Sequence, residues 1–186
     1  MVQMTVRTIA ITTAVAVSLS AALIARAAGP FKGHADLTPY QEVPTLSTPA
    51  RGTLDVEISK DGESVRYTLS YQGLATPIRF AHIHLGRPAV NGGIMVFLCN
   101  NLTPPPAGVP LPPACPQGSG TVSGELTAAN VGALAAAQFV TAGEFAEFVA
   151  ALRAEAAYGN LHTDQSPGGE IRGQVTFSRS DSINDD

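Results

Sequence analysis

Alternation of apolar and polar residues constrains this chain more than any other feature of its sequence. Residues 53–58 and residues 65–71 both carry apolar side chains at every second position. A turn-forming Lys-Asp-Gly-Glu segment at residues 60–63 separates them. A period of two is the side-chain period of a β-strand, so this part of the chain predicts a hairpin with one buried face.

Short strands separated by turns are predicted along the rest of the chain, at residues 80–85, 93–98, 120–126, 157–163 and 170–177. The 18 Gly and 14 Pro favour such turns. An Ala-rich stretch interrupts the pattern and predicts one helix over residues 142–155, with Thr141 as its N-cap and a shorter helix or turn before it. We therefore predict an all-β fold, an antiparallel Greek-key-like β-sandwich with one helical insertion between late strands.

The first 27 residues have the pattern of an export signal peptide. Arg7 precedes an uncharged, mostly apolar run at residues 9–25, and Ala25-Arg26-Ala27 is an A-x-A cleavage site. An uncleaved membrane anchor is the alternative. However, the run is shorter than the roughly 20 residues that a span needs, and Ser and Thr dilute it. The sequence thus predicts a secreted protein, periplasmic or extracellular, without a stable membrane span after cleavage.

Cleavage would leave one domain at residues 28–178 and a disordered polar tail at residues 179–186. The chain is 45% hydrophobic, which is enough for a packed core. Its net charge is −4 and it has no run of Lys and Arg, so the sequence excludes the basic surface that nucleic-acid binding requires.

Cys99 and Cys115 bracket a Pro-rich segment. Export favours an oxidised pair, and a disulfide here would stabilise the fold by about 3 kcal/mol through loop entropy. A thiolate metal site and a redox-active pair are the alternatives, but the spacing is not that of a C-x-x-C motif.

Three of the four histidines form a candidate metal site. His82 and His84 are two residues apart on a predicted strand, so both side chains share one face, while Ala81, Ile83 and Leu85 take the core face. His162 would be a third ligand if its strand lies nearby. Three imidazoles suit copper or zinc, and we expect the metal to be lost as pH falls through about 6–6.5.

The alternative interpretation is structural. His82 and His84 would then lie on an outward face and hydrogen-bond loop carbonyls. His34 is expected on the surface of an N-terminal strand. Glu170, Arg172 and Gln174 share one face of the last predicted strand. With Glu42, Glu170 and Arg172 are predicted to form an ion-paired structural polar cluster, with catalysis as the alternative.

Four segments, in this order, resemble the CHRD domain of the chordin family: LTPYQEVP at 37–44 with ARG at 50–52, FAHIHLG at 80–86 with NGG at 91–93, AYGNLHT at 157–163, and PGGEIRGQ at 167–174. Two features depart from the family pattern. Gly159 stands where the family usually has a β-branched residue, and the Cys-bounded loop looks like an insertion. The His-x-His pair and the late Gly-Gly-x-x-Arg-Gly segment are also similar in pattern to copper/zinc superoxide dismutase, but the full ligand set of that enzyme is not visible here.

The resemblance to the CHRD domain implies a β-sandwich in an extracellular or periplasmic setting and implies little about activity. Our first hypothesis is a non-enzymatic binding or interaction module whose partner is an unknown extracellular protein or small ligand. The second is a metal-binding protein that holds copper or zinc with His82, His84 and His162. A redox enzyme on the same site is the third.

Overall fold

The computed structural model describes residues 31–178. The predicted signal peptide at residues 1–27 and the predicted tail at residues 179–186 lie outside this range. Within it, no helix has the length and apolar character that a membrane crossing requires.

Nine strands and one α-helix form between residues 31 and 178. In chain order they are β1 Phe31–Leu37, β2 Arg51–Ile58, β3 Val65–Gln72, β4 Ile78–Leu85, β5 Ile94–Asn100, β6 Gly120–Leu126, α1 Phe145–Arg153, β7 Ala157–Thr163, β8 Ile171–Gln174 and β9 Thr176–Phe177.

The strands form two antiparallel sheets that pack face to face. The five-stranded sheet has the order β6-β3-β2-β1-β9, and the four-stranded sheet has the order β5-β4-β7-β8. The predicted hairpin is β2–β3, in which Ile58 pairs with Val65 and Arg51 with Gln72. The mostly β fold, with two sheets and one helix between β6 and β7, confirms the predicted sandwich.

The last predicted strand, residues 170–177, is wrong as a single element. The chain divides at Val175, so that β8 pairs with β7 in one sheet and β9 pairs with β1 in the other. The Val175 N–H still donates to the Ala157 carbonyl, which extends the β7–β8 ladder by one pair before the chain crosses to the other sheet. This short segment therefore connects the edges of the two sheets, which its alternating sequence does not reveal.

The helix also differs from its predicted bounds. It begins at Phe145 and not at residue 142, and its N-cap is Glu144 and not Thr141. The Glu144 carboxylate still accepts a hydrogen bond from the Thr141 N–H, which is one of the two bonds of a capping box. The helix turns its apolar face to the core, where Phe148 and Leu152 are fully buried.

Gly159 shows why the two sheets can approach closely. It lies on the core face of β7, where a Cβ would come within 2.8 Å of Leu54 Cδ2 on the opposite sheet. A β-branched residue at this position would force Leu54 away. The glycine that departs from the family pattern therefore permits tight packing between the two sheets.

The four-stranded sheet is buried on both faces, which positions the functional site. Every residue of β7 is buried, and so are Ala81, His82, Ile83 and His84 of β4. One face belongs to the core between the sheets. The other face, called the polar face below, carries the three clustered histidines and Asn160 together with aromatic side chains, and it lies beneath three loops, at residues 38–46, 86–93 and 164–170.

Candidate metal centre

His82, His84 and His162 meet on the polar face of the four-stranded sheet. In the β4–β7 register, Phe80 pairs with His162, His82 with Asn160 and His84 with Tyr158. Side chains of directly paired residues point to the same face, so all three imidazoles project from one side. The structure brings together all three histidines of the sequence-based hypothesis.

The three imidazoles are close enough to share one ion. One ring nitrogen from each residue can be chosen so that all three lie within 4.8 Å of one another. Bonds of about 2.0–2.1 Å to a metal would require each nitrogen to move inward by no more than about 0.7 Å. Such movements are small side-chain rotations and need no change in the strands.

Backbone carbonyls fix the orientation of two of the rings. The Nδ1–H of His84 donates to the Gly92 carbonyl oxygen at 2.8 Å, and the Nδ1–H of His162 donates to the Pro167 carbonyl oxygen at 2.9 Å. A carbonyl only accepts, so each neutral ring keeps its proton on Nδ1 and presents a lone pair on Nε2. Metal-ligating histidines are held in this way by a hydrogen bond from the second nitrogen.

Four ring nitrogens of the cluster have no hydrogen-bond partner. Nε2 of His84, Nε2 of His162 and both ring nitrogens of His82 each expose less than 1 Å² and make no hydrogen bond within the described chain. Buried polar atoms are normally hydrogen-bonded, and leaving one unpaired costs about 1–3 kcal/mol. Between residues 31 and 178, seven buried side-chain atoms have no partner, and four of them lie on these three adjoining rings.

Burial keeps these histidines neutral. It lowers the pKa of His84 and of His162 to about 4, and it holds the pKa of His82 well below the ordinary value, with the neighbouring imidazoles adding to the effect. Neutral imidazole is the form that binds a metal. At neutral pH, no proton would have to leave before an ion could bind.

Aromatic side chains surround the cluster. Phe80 lies 5.2 Å from His82 and 4.6 Å from His162 between ring centroids, and Phe97 lies 5.6 Å from His82. On the far side, the Tyr158 ring stacks on His84 at 4.6 Å, with 10° between the planes. These rings hold the imidazoles in place and make the immediate surroundings apolar.

Arg172 anchors the loop that covers the cluster. Its guanidinium donates to the Arg87 and Val90 carbonyl oxygens and to the Asn91 side chain. The same loop carries Gly92, where an added Cβ would overlap the Leu85 carbonyl oxygen. Arg172 is buried, so its role here is to fasten residues 86–93 over the histidines.

The predicted polar cluster is buried, but its members have separate partners. Glu42 accepts a hydrogen bond from Asn160, and Glu170 accepts from the Ala75 N–H and the Thr163 hydroxyl. Between residues 31 and 178, no ion pair joins Arg172 to either carboxylate. The expected ion pairing is therefore replaced by hydrogen bonds.

Cys99 and Cys115 form a disulfide, and both are buried. The bridge closes the Pro-rich loop, as predicted. Because both sulfurs are in the bridge, the thiolate metal site does not describe this state of the protein. His34 lies at the surface on β1, as expected, and its Nδ1 is 2.7 Å from an oxygen of Asp55.

The sequence analysis does not identify several residues that build the site. Phe80, Tyr158 and Asn160 occupy the same strand parity as the histidines, so extending the two-residue period along β4 and β7 would have found them. Phe97 also contacts His82, but register shifts between β4 and β5 hide its place. The carbonyls of Gly92 and Pro167 belong to loops and carry no sequence signal.

The comparisons with known proteins support one family. The sequence model described as the CHRD domain matches residues 34–175, which include all three clustered histidines and both cysteines. No curated protein and no solved structure matches the chain. The match covers most of the chain, from β1 to the segment between β8 and β9, and the chain belongs to the CHRD domain family.

Proposed function

We propose that this chain is an exported binding module whose ligand is a transition-metal ion, copper or zinc. His82, His84 and His162 would supply the ligand nitrogens. The observation that carries the proposal is the group of four buried ring nitrogens without hydrogen-bond partners, all on adjoining rings. An ion bound between the rings would pair one of these nitrogens from each ring, which is three of the four, and would offset the cost of burying them.

The surroundings favour binding over turnover. The unpaired ring nitrogens are closed off from solvent, whereas catalytic metal sites keep an open position for substrate or water. A stored or structural ion fits a closed site. This supports the non-enzymatic hypothesis and gives the binding module a ligand of definite chemistry.

Export is the second part of the proposal. The disulfide fits an oxidising compartment, and the signal-peptide pattern of residues 1–27 fits the same route. N-terminal sequencing of the protein from a fractionated host should find a chain that begins at or near Ala28 outside the cytoplasm. An intact Met1 on a cytoplasmic protein would contradict export and leave the metal site untouched.

The metal proposal is tested by equilibrium titration of the exported protein with Cu(II), Cu(I) and Zn(II). We expect one ion per chain for the ion that binds best. His82→Leu together with His162→Leu should abolish this binding. His34→Leu is the matched control, because His34 lies on the opposite sheet, and it should bind the ion as the unaltered protein does.

Circular dichroism and denaturant unfolding would show that each variant is folded before its binding is judged. If the folded double variant binds metal as tightly as the His34→Leu control, the ligands lie elsewhere and the proposed site is wrong.

A further inference from the structure

We infer that the three-histidine site selects a monovalent ion, Cu(I), over Zn(II) and Cu(II). This rests on the proposed function and adds the oxidation state of its ligand. The inference is carried by the number of ligands, by the apolar side chains around them and by the charges nearest to the site.

The donor set is neutral and has three members. Of the His, Cys, Asp and Glu side chains between residues 31 and 178, only His82, His84 and His162 meet in this group. Zinc sites in proteins are almost always four-coordinate, with a water completing the shell where the protein supplies three ligands. Cu(I) and Zn(II) both have a filled d shell, but the singly charged Cu(I) ion is stable with three nitrogens in a trigonal arrangement and needs no fourth ligand.

Phenylalanine rings pack directly against two of the three histidines. Phe80 contacts both His82 and His162, and Phe97 packs edge-on against His82 with 77° between the ring planes. Neither ring can donate an electron pair to zinc in the way that water does. Their bulk also keeps water from the nitrogens, each of which exposes less than 1 Å².

A positive charge lies close to one ligand, because the Arg172 guanidinium is 3.4 Å from the centroid of the Tyr158 ring, which stacks on His84. Arg172 acts on His84 and Arg79 acts on His162, and in both cases the effect is to disfavour positive charge on the ring. The nearest buried carboxylates, Glu42 and Glu170, are taken up by Asn160, by Thr163 and by backbone N–H groups, and neither contacts a ligand imidazole.

The cost of burying an ion grows with the square of its charge. A divalent ion in an apolar site therefore pays roughly four times the desolvation cost of a monovalent ion of the same size. Anionic ligands usually offset that cost, but this site has none. In open imidazole sites, Cu(II) exceeds Zn(II) in affinity. Here both divalent ions should be disfavoured relative to Cu(I).

The test measures three affinities on the same protein. Cu(I) is titrated without oxygen against a chromophoric Cu(I) chelator, Zn(II) against a zinc chelator, and Cu(II) by its electron paramagnetic resonance signal. We expect Cu(I) to bind at least about tenfold more tightly than either divalent ion. The His82→Leu and His162→Leu double variant should lose the Cu(I) site.

A designed change of selectivity gives an independent readout. Phe97→His would place a fourth imidazole beside His82 and should shift the preference toward Zn(II) by at least about tenfold. Phe145→His in the helix is the control, because Phe145 is buried in the core and should leave the preference unchanged.

The outcomes separate the two proposals. If Zn(II) or Cu(II) binds to the same histidines as tightly as Cu(I), the inference is overturned and the metal-binding function stands. If no ion binds, or if the histidine double variant binds as before, the proposed function itself fails.

Discussion

The Arg172 guanidinium lies 3.4 Å from the centroid of the Tyr158 ring, and the same ring stacks on His84. The Tyr158 hydroxyl accepts a hydrogen bond from the Gly92 N–H, while the Gly92 carbonyl accepts from Nδ1 of His84. Tyr158 thus holds His84 both directly, through its ring, and indirectly, through the peptide of Gly92. Loop and ligand are parts of one arrangement.

Tyr158→Phe tests this coupling. The variant keeps the ring that stacks on His84 but removes the acceptor for the Gly92 N–H, so the carbonyl that orients His84 is less firmly held. We expect metal affinity to fall by about tenfold, the lower end of the effect of losing an outer hydrogen bond at a metal site. The measurement is the competition titration used for the unaltered protein.

Tyr67→Phe is the matched control for that variant. The Tyr67 hydroxyl also makes a hydrogen bond with the backbone, here as a donor to the Leu98 carbonyl, but Tyr67 lies on the opposite sheet. We expect it to cost about 1 kcal/mol of stability and to leave metal affinity unchanged. Equal losses of affinity in both variants would assign the effect to general loosening of the fold.

His82→Leu should stabilise the metal-free protein. His82 is fully buried and neither of its ring nitrogens has a hydrogen-bond partner. The metal-free protein therefore bears the free-energy cost of desolvating both nitrogens, and no hydrogen bond offsets it. Leucine is similar in volume, and its neighbours Phe80 and Phe97 are apolar. We expect the free energy of unfolding to rise by about 1–2 kcal/mol in denaturant titrations with a chelator present.

A structural histidine would behave in the opposite way. If His82→Leu lowers the stability of the apo protein by more than about 1 kcal/mol, the ring makes contacts that the fold needs, and the structural interpretation is favoured. A gain in stability together with the loss of metal binding would mark His82 as a residue kept for its ligand and not for packing.

The pH dependence of metal binding follows from the burial of the ligands. A ligand with a lowered pKa stays neutral to lower pH, so protons compete with the metal only near pH 4, where His84 and His162 titrate. We expect little change in affinity between about pH 7 and pH 5.5, and a steep loss below pH 5. This replaces the expectation of a loss through about pH 6–6.5, which assumed exposed histidines. Metal titrations at several pH values check this expectation. Loss of half the affinity already at about pH 6.5 would show that the rings are open to solvent.

The sequence predicts the sheets well where one face is polar and exposed. The period of two placed Leu54, Val56 and Ile58 in the core, and the bounds 120–126 and 157–163 match β6 and β7. Such local patterns indicate directly which residues form a strand and which face of that strand is buried. The two-residue spacing also placed His82 and His84 on one side of β4.

What the sequence could not show depends on contacts between distant segments. The burial of the histidine face is due to loops at residues 38–46, 86–93 and 164–170, and no local pattern says where a loop folds back. The division of residues 170–177 between two sheets depends likewise on the edges that β7 and β1 offer. The sequence predicts an ion pair for Arg172 because only its charge is evident there. In the structure its acceptors are mostly backbone carbonyls, which the sequence does not reveal.

The disulfide should contribute measurably to stability. Cys99 and Cys115 are 16 residues apart in the sequence and buried, so the bridge restricts the unfolded chain and is shielded from reductant. Replacing both by Ser should lower the free energy of unfolding by about 3 kcal/mol. Mass spectrometry of a non-reduced digest should find the two peptides linked. Two free thiols in freshly isolated protein would contradict the bridge.

Glu42 should make the stability of the protein fall as pH rises toward neutrality. Burial raises the pKa of Glu42 to about 7 in the folded protein, against the lowering effects of Asn160 and Arg172, while the unfolded value stays near 4.5. Between these two values the folded state binds more protons than the unfolded state. Stability from this group is therefore full below about pH 4.5 and is lost as the pH rises to 7.

Glu42→Gln isolates that effect from the buried histidines, whose lowered pKa values make stability rise with pH over part of the same range. Glutamine retains an oxygen that can accept from Asn160 but cannot ionise. We expect the variant to match the unaltered protein at about pH 4.5 and to exceed it in stability at about pH 8, by denaturant unfolding of the metal-free protein. Thr163→Val, which removes a hydroxyl donor to the other buried carboxylate, Glu170, should instead destabilise the fold at both pH values. A difference between Glu42→Gln and the unaltered protein that does not change with pH would mean that Glu42 is ionised in the folded state throughout this range.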